Sequence, residues 1–458
     1  MRLGPTVGII SPRLSRVYSP PVEATVSVKI CVIGAGHVGL VSGACFAELG
    51  HSVICVDNDA KRIAGLKRGT MPFYEPEMAP LVRKHYRRKR LQFTTDLREG
   101  VRHGEVIFIA VGTPPKANGE ADLIHVEGVC RDIARAMTSY RLIVEKSTVP
   151  VETGKWLRRT IARNLKRPIS FDVASNPEFL REGTAVHDFL HPDRIVLGVE
   201  STEARRRLTE IYAPLKAKMV VTDIASAELI KHASNSFLAT KISFINAVSQ
   251  ICDRVGADVE KVAEGMGLDP RIGKAFLDAG VGFGGFCLPK DIEAFIHIAE
   301  KLGVDFGLLK EVARVNREQK ALLVKKIESH LWNLSKKTIA VWGLSFKPLT
   351  DDMRFAPSIE VIERLMTAGA RVKAYDPQAM PEARRVLNGT TFAPSCYDAV
   401  KGSDCLVLLT EWPQFLEVDW RRVKKLMAHP IVIDGRNFLD PALLKRHGFE
   451  YAGMGRAA

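Results

Sequence analysis

The chain has 458 residues, of which 46% are hydrophobic and 26% are charged, and this composition is typical of a globular protein with two or three domains. The formal net charge of +14 favours anionic partners such as nucleotides, while no RRM, zinc-finger or bZIP pattern indicates nucleic-acid binding. No apolar run is long enough for a membrane span, and the 8 cysteines form no CxxC pair, so a disulfide framework and a metal site are disfavoured and a cytoplasmic location is predicted.

Residues 1–27 contain prolines and arginines but lack the apolar core and the cleavage site of a secretory signal. We predict a disordered extension here, or a start codon assigned too far upstream, and a transit peptide is the alternative. The basic run at residues 83–90 is interpreted as a solvated surface.

A glycine-rich loop follows the first predicted strand. Residues 28–33 predict a buried strand, Gly34–Gly39 form a GxGxxG pattern that opens a helix, and a second strand ends at Asp57. The glycines let a pyrophosphate approach the start of the helix, and an acid about twenty residues further on binds the adenosine ribose. The pattern therefore predicts dinucleotide binding, with NAD preferred over NADP because Asp57 would repel a 2′-phosphate. Arg62 weakens that preference.

Polar clusters follow three further predicted strands, which are residues 106–111, 142–144 and 171–174. The clusters themselves are residues 112–114, 145–150 and 175–183. Because parallel strands place their carboxyl ends at one edge of the sheet, three such clusters in succession predict a ligand site rather than simple turns.

Residues 225–255 predict one long helix without proline or glycine. Lys231 and Asn235 share a face of it because they are four residues apart, and their neighbours on that face are small or apolar. This pattern favours a pair that points into a site, and the alternative is a surface lysine with an ordinary helical asparagine.

The stretch Val281–Asp291 places Cys287 between a glycine-rich turn and Pro289. If Pro289 opens a helix, the positive end of the helix dipole favours the Cys287 thiolate, and Lys290 lies on the first turn. The alternative is a buried structural cysteine. A further helical stretch is predicted from about residue 291 to residue 330.

A second α/β unit follows, with predicted strands at residues 338–343, 372–375, 405–409 and 431–433. It has no GxGxxG pattern, so we expect it to bind something other than a second dinucleotide. The predicted fold class is α/β, with two Rossmann-like doubly wound domains joined by a long central helix. The expected domains are residues 1–27 (extension), 28–220 (NAD binding), 221–330 (central helical region with the cysteine loop) and 331–458 (second Rossmann-like domain).

Nine ordered motifs together resemble one family, and they span residues 28–445. They are GAGHVG, VGTP, EKSTVP, NPEFLREGTAVHDF, AELIKHASNSFLATKISFIN, GLDPRIG, GVGFGGFCLPKD, GLSFKPLTDD and DGRNFLD. The chain is similar to the UDP-glucose/GDP-mannose dehydrogenase family. The resemblance implies a homodimer or higher homo-oligomer that oxidises UDP-glucose twice with NAD to give UDP-glucuronate. It also implies that residues 331–458 bind the UDP-sugar. The same chemistry on GDP-mannose or a UDP-N-acetylhexosamine remains the alternative.

The resemblance also implies the covalent chemistry of this family. Cys287 would add to the intermediate aldehyde as a thiohemiacetal, whose oxidation gives a thioester that water hydrolyses. Lys231 and Asn235 would stabilise the developing oxyanions.

The proton-transfer residues are implied in the same way. Asp291, with a water held by Thr148, matches the base of the first oxidation, and Glu178 matches the acid/base residue of the thioester steps. Glu182 matches a contact on the cofactor side that assists.

The residues implied to bind NAD are Gly34, Gly36, Val38, Gly39, Asp57, Arg62, Thr113, Thr148, Glu182, Lys290 and Arg354. Those implied to bind the nucleotide sugar are Glu178, Phe179, Leu180, Arg181, Glu182, Lys231, Asn235, Arg271, Phe276, Leu277, Asp278, Ala279, Gly280, Gly284, Lys347 and Arg436. Among them, Arg271 resembles an arginine that reaches into the site of the partner subunit.

Two departures from the family pattern stand close to these residues. Phe286 precedes the nucleophile where a smaller or polar residue is usual, and Phe355-Ala356-Pro357 replaces a commoner Glu-Ser-Pro. Two other classes of function remain open. One is a single-step hydroxyacid dehydrogenase, which needs no cysteine, and the other is a nucleotide-binding protein without catalysis.

Overall fold

The computed structural model describes residues 17–18, 27–116 and 119–456. The extension predicted for residues 1–27 lies outside the described residues except for residues 17–18 and residue 27. The described chain forms two mostly parallel sheets flanked by helices, with a long helix between them in sequence. The predicted fold class is confirmed.

Nine strands of the described residues form the first sheet. They are β1 (Val17–Tyr18), β2 (Lys29–Ile33), β3 (Ser52–Val56), β4 (Leu91–Thr94), β5 (Val106–Ile109), β6 (Arg141–Glu145), β7 (Phe171–Ser175), β8 (Ile195–Val199) and β9 (Met219–Thr222). The helices around it are α1 (His37–Glu48), α2 (Ala60–Lys67), α3 (Met78–Arg87), α4 (Leu97–His103), α5 (Ile124–Ala136), α6 (Thr153–Asn164), α7 (Ala185–Leu190) and α8 (Thr202–Tyr212), followed by a 3-10 turn at Ala213–Leu215.

The strand order of this sheet is β1-β9-β8-β7-β6-β5-β2-β3-β4. Only the β1–β9 and β7–β8 pairs are antiparallel. The central strands read as continuous apolar runs because helices cover both faces of the sheet, and β2, β5 and β6 are almost completely buried. Their carboxyl ends therefore meet at one edge, where the sequence predicted a ligand site.

Four helices connect the two sheets, namely α9 (Ile224–Val255), α10 (Val259–Gly267), α11 (Cys287–Lys301) and α12 (Gly307–Leu331). Helix α9 begins where the Asp223 carboxylate accepts a hydrogen bond from the backbone of Ser226 at 2.8 Å, and it ends at Gly256 with φ of +73°. The long helix predicted over residues 225–255 is thus confirmed.

The helical stretch predicted from about residue 291 to residue 330 is confirmed, and a turn divides it into α11 and α12. Gly303 has φ of +73°, and the N–H of Val304 donates to the carbonyl of Ala299 at 2.9 Å, so the first helix ends here.

The second sheet contains six strands in the described part of the chain, in the order β12-β11-β10-β13-β14-β15. They are β10 (Thr338–Trp342), β11 (Arg371–Tyr375), β12 (Thr391–Phe392), β13 (Cys405–Leu408), β14 (Ile431–Asp434) and β15 (Glu450–Gly453). Its helices are α13 (Pro357–Thr367), α14 (Met380–Val386), α15 (Cys396–Val400), α16 (Trp420–Leu426) and α17 (Pro441–Arg446), with a 3-10 turn at Pro413–Leu416. Among the residues that the structure describes, no helix combines the length and the apolar character needed to cross a membrane.

Candidate active site

A cleft of about 730 Å³ lies where the loop after β7 meets helix α9 and the turn before α11. This volume is within the range of small-molecule sites. Many of the residues implied by the resemblance line it together, namely Glu178, Phe179, Leu180, Arg181, Glu182, Lys231, Asn235, Phe276, Gly284, Cys287 and Lys347. They come from segments up to more than a third of the chain apart in sequence, so the fold gathers them into one site.

Cys287 is the first residue of α11, and its side chain is exposed to the cleft. The helix therefore starts at the cysteine, two residues before Pro289. Removal from bulk water by the cleft walls, followed by the negative charge of Glu178, raises the pKa of the thiol to about 12, and Lys231 only partly opposes the shift. The expected net stabilisation of the thiolate is not found, because desolvation outweighs the nearby cation.

Lys231 and Glu178 form a buried ion pair beside this cysteine, with Nζ and Oε1 2.9 Å apart. Burial alone would lower the pKa of Lys231, but the charges of Glu178 and Asp291 outweigh it, so the pKa is raised and the side chain is a cation. The second carboxylate oxygen of Glu178 accepts the N–H of Leu180 at 2.7 Å, which fixes the carboxylate on its own loop.

Asn235 and Asp291 form the second polar pair of the site. The amide of Asn235 donates to Asp291 Oδ2 at 2.6 Å, and Lys290 Nζ lies 2.8 Å from Oδ1. Burial would raise the pKa of Asp291, but Lys290 and Lys231 outweigh it and lower the pKa, so this buried carboxylate is ionised. The interpretation of Lys231 and Asn235 as surface residues is wrong, since both are buried and face the cleft.

The segment with Thr148 is bound to helix α9 by two side chains. His232 Nε2 lies 2.8 Å from the carbonyl of Val149, and burial lowers the His232 pKa, so the neutral ring donates from this nitrogen. The carboxylate of Glu228 accepts the backbone N–H groups of Glu152 and Gly154 at 2.7 and 2.8 Å. The carbonyl of Thr148 itself accepts the Thr113 hydroxyl at 2.9 Å.

The glycine-rich loop after β2 has the geometry of a dinucleotide site. A Cβ added at Gly36 would have no atom within 4 Å, whereas one at Gly34 would lie 2.5 Å from the carbonyl oxygen of Ala110. Asp57, almost fully buried, accepts the N–H of Ala35 at 2.8 Å and bonds Arg62 at 2.8 Å. The loop therefore leaves open space at its helix side and presents a fixed carboxylate beside it, and both features fit a nucleotide.

Glu182 lies where the two α/β units meet. Its Oε1 is 3.4 Å from Nη2 of Arg354, and the Thr350 hydroxyl donates to Oε2 at 3.3 Å. Burial raises the pKa of Glu182, while His37 of the glycine-rich loop and Arg354 oppose the shift. This carboxylate thus joins the edge of the cleft to the second α/β unit.

Other residues implied to bind the sugar nucleotide lie away from the cleft in this structure. The guanidinium of Arg436 donates to the carbonyls of Leu409, Gly282 and Phe346, and so supports the cysteine turn from behind. Arg271 has an exposed side chain that bonds Asp269 of its own turn.

Phe276 lines the cleft, but the segment that follows it does not. Leu277 and Ala279 pack into a hydrophobic cluster with residues of α9 and α10, Asp278 is exposed, and the N–H of Gly280 donates to the Asn246 side chain at 2.8 Å.

A buried polar group that lines the cleft was not singled out from the sequence. Lys146 Nζ donates to Asn176 Oδ1 at 3.0 Å, and the hydroxyl of Tyr212 donates to the same oxygen at 2.5 Å. All three residues line the cleft. Lys146 and Asn176 belong to the polar clusters at the strand ends, so that rule could have singled them out, whereas nothing in the helical pattern marks Tyr212.

Three family models match successive parts of the chain. They describe the NAD binding domain (residues 28–216), the central domain (residues 225–318) and the UDP binding domain (residues 340–441) of the UDP-glucose/GDP-mannose dehydrogenase family.

Individual proteins are similar over almost the whole chain. The chain is 46% identical to the UDP-glucose 6-dehydrogenase TuaD of Bacillus subtilis over 94% of either chain, and 45% identical to a UDP-glucose 6-dehydrogenase of Rhizobium meliloti over 94% of this chain and 100% of that one. A UDP-glucose dehydrogenase from Pyrobaculum islandicum superposes with a TM-score of 0.89 at 38% identity, covering 95% of this chain and 100% of that one. A UDP-D-ManNAc dehydrogenase from Pyrococcus horikoshii superposes with a TM-score of 0.82 at 28% identity, covering 93% and 99%.

Proposed function

The chain belongs to the UDP-glucose/GDP-mannose dehydrogenase family and is an NAD-dependent dehydrogenase, and on that premise we propose that it oxidises UDP-glucose twice to UDP-glucuronate through a covalent intermediate on Cys287. The observation that carries the proposal is the juxtaposition in one cleft of an accessible cysteine with the Lys231–Glu178 ion pair. Asn235 lines the same cleft and bonds Asp291. A single-step alcohol oxidation would need no such nucleophile.

The residues around the glycine-rich loop fit NAD. Gly36 leaves room for the pyrophosphate at the start of α1, and Asp57 is placed to accept the ribose hydroxyls. When bound, NAD supplies the oxidant, taking two electrons from the substrate carbon in each of two rounds. Val38, Gly39, Arg62, Thr113, Thr148, Glu182, Lys290 and Arg354 are the further residues proposed to contact it.

Asp291 is proposed to begin the reaction by taking the proton of the alcohol through a water held by Thr148. Its lowered pKa keeps the carboxylate ionised and able to accept a proton. Lys231 and Asn235 would stabilise the negative charge that develops on the substrate oxygen, since one is a buried cation and the other an amide in the same cleft.

Cys287 is proposed to add to the resulting aldehyde. The sulfur forms a bond to the carbonyl carbon, the carbonyl oxygen takes up a proton, and the thiol loses its own proton. Because the pKa of the thiol is raised to about 12, this proton leaves as the carbon–sulfur bond forms and not beforehand. Oxidation of the thiohemiacetal gives a thioester, and Glu178 would accept the proton of the water that hydrolyses it.

The decisive experiment is a panel of nucleotide sugars, with NADH counted per sugar consumed. We expect about two NADH per UDP-glucose, and turnover of GDP-mannose or a UDP-N-acetylhexosamine without UDP-glucose turnover would contradict the substrate. Cys287→Ser should lower acid formation by at least about 10³-fold, because a hydroxyl is a far weaker nucleophile than sulfur. Full turnover by that variant would instead favour the single-step hydroxyacid dehydrogenase.

We also propose that the chain forms a homodimer through α9. Phe237, Phe244 and Ile251 are exposed by 66%, 51% and 60%, and they lie seven residues apart on one face of this helix. A second copy would cover the stripe and could bring the exposed Arg271 to the partner's cleft. Ile251→Asp should then give monomers in light scattering at micromolar concentration, and an unchanged mass would contradict the interface.

All 8 cysteines lie in described residues and are free, which supports the cytoplasm as the proposed location.

A further inference from the structure

Three consecutive residues in front of Cys287 contact the second α/β unit. A Cβ added at Gly284 would overlap the carbonyl oxygen of Phe355, and one added at Gly285 would lie 2.6 Å from the ring of Phe346. Gly285 also has φ of +79°. The turn that carries the nucleophile is therefore packed directly on residues 346–357, and only glycine fits at these two positions.

Phe286, the third of these residues, lies beneath a cation. Its ring centroid is 4.4 Å from the guanidinium carbon of Arg354 and 5.6 Å from Nζ of Lys290. Both distances are within the range at which a cation is attracted to the face of an aromatic ring. A leucine at this position would fill a similar volume but would offer no such attraction.

The contacts of Arg354 place its guanidinium at the cofactor side of the cleft. It bonds Asp352 at 2.7 Å and approaches Glu182 at 3.4 Å, and the charge of Glu182 in turn interacts with His37 of the glycine-rich loop. The guanidinium therefore lies between Glu182, on the side of the glycine-rich loop, and the ring of Phe286, which directly precedes the nucleophile.

We propose that Phe286 is a positioning residue whose ring holds the Arg354 guanidinium toward the bound dinucleotide, and so links cofactor binding to the turn that carries Cys287. This inference rests on the proposed function, because it requires NAD at the glycine-rich loop. It accounts for an aromatic residue next to the nucleophile. It also connects the two departures from the family pattern, because the turn that carries Phe286 packs on the carbonyl of Phe355 at Gly284.

The test is NADH binding, measured by fluorescence titration without any sugar on the full-length protein. Phe286→Leu should weaken NADH binding by about two- to fivefold, the range for one cation–π contact at a partly exposed site. Phe286→Tyr keeps an aromatic ring and should restore the affinity. In steady state the leucine variant should raise KM for NAD while kcat changes by less than about twofold.

Phe295 supplies a matched control on the same helix, because it packs on Phe306 and His232 and belongs to neither the proposed catalytic nor the proposed binding residues. Phe295→Leu should leave NADH affinity unchanged. In an Arg354→Ala background, Phe286→Leu should have no further effect on NADH binding, since the cation is gone.

Three results would overturn the proposal: unchanged NADH affinity in Phe286→Leu, no rescue by Phe286→Tyr, or an equal loss with and without Arg354. If the wild-type protein binds NADH but oxidises no nucleotide sugar, the proposed function fails while this inference stands.

Discussion

An acid follows β3 in the first sheet and β11 in the second, and the two acids make the same kind of hydrogen bond but have different surroundings. In the first sheet the Asp57 carboxylate accepts the N–H of Ala35, in the loop after β2, at 2.8 Å. In the second sheet the Asp376 carboxylate accepts the N–H of Leu344, in the loop after β10, at 2.7 Å. In both, an acid at a strand end holds the turn that begins the crossover to the next strand.

The difference lies in what else each carboxylate bonds. Asp57 meets the half-exposed Arg62 at 2.8 Å and leaves space beside Gly36. The same oxygen of Asp376 accepts the indole N–H of Trp412 at 3.0 Å, and that ring is fully buried. A large buried side chain thus occupies the space beside this acid in the second sheet, and the acid bonds only groups of its own unit among the contacts described.

The loops after β2 and β10, which the two acids bond, also differ in length. In the first sheet α1 starts at His37, immediately after the turn, whereas in the second α13 starts only at Pro357. The longer loop reaches the first unit, where Leu349 packs against Gly183 and Arg354 meets Glu182. In the second unit, Trp412 is buried beside Asp376, and the loop after β10 contacts the first unit at Gly183 and Glu182.

The largest expected effect is on stability, from Asp376→Ala. The change leaves the N–H groups of Leu344, Gln378 and Ala379 and the indole of Trp412 without their buried acceptor. We expect the free energy of unfolding in urea to fall by about 3–5 kcal/mol. NADH affinity of the remaining folded protein should stay within about twofold of wild type. A loss of stability below about 1 kcal/mol would contradict a structural role for Asp376.

A glycine pair tests the two turns more sharply. Gly343 has φ of +87°, and an added Cβ would overlap Thr410, so Gly343→Ala should cost about 2–4 kcal/mol of stability. Gly36 has φ of −76° and open space around it, so Gly36→Ala should leave the melting temperature nearly unchanged and weaken NADH binding. Equal melting temperatures of the two variants would contradict the proposed division of roles.

Asp57→Ala should show the opposite balance to Asp376→Ala. Loss of a charged hydrogen-bond acceptor for the ribose is worth about 1.5–3 kcal/mol, so the dissociation constant for NADH should rise roughly 10- to 100-fold. Selectivity for NADH over NADPH should fall as well, because the charge that repels a 2′-phosphate is gone. A variant that loses stability as strongly as Asp376→Ala, with intact NADH affinity, would show that both acids are structural.

Much of this comparison could be predicted from the sequence, because it depends on local patterns. The buried strands, the GxGxxG loop with its distant acid and the helix at residues 224–255 follow from periodicity and spacing. The four-residue spacing of Lys231 and Asn235 also predicted one shared face, and both line the cleft.

The remainder depends on contacts between residues distant in sequence. The pKa of Cys287 rises because the cleft walls and Glu178, 109 positions earlier, surround the thiol, and no local pattern reports that environment. Trp412 gave no sign that it would bond Asp376, and the position of Phe286 beneath Arg354 depends on how the two units pack together. The turn at Gly303 was different, since the glycine itself was a visible signal of a helix end.

The smallest expected effect compares two buried acids at equivalent strand ends, Glu145 of β6 and Asp434 of β14. Both oxygens of Asp434 are bonded, Oδ1 by the N–H of Arg436 and Oδ2 by Leu439 and Tyr451, and burial raises its pKa only to about 6. Within the described residues, Oε2 of Glu145 has no hydrogen-bond partner, and burial raises the pKa of Glu145 to about 8.

A raised pKa means that the folded state binds more protons than the unfolded state between the two pKa values, so stability falls as pH rises through that window. From about pH 6 to about pH 7 the pH lies between the unfolded and folded pKa values of Glu145. The same pH range lies largely above the folded pKa of Asp434. Wild type should therefore lose up to about 1.4 kcal/mol more than Glu145→Gln across that pH unit, measured by urea unfolding at several pH values. Asp434→Asn should have the same pH dependence of stability as wild type in this range. Parallel pH profiles for all three proteins would contradict a higher pKa for Glu145 than for Asp434.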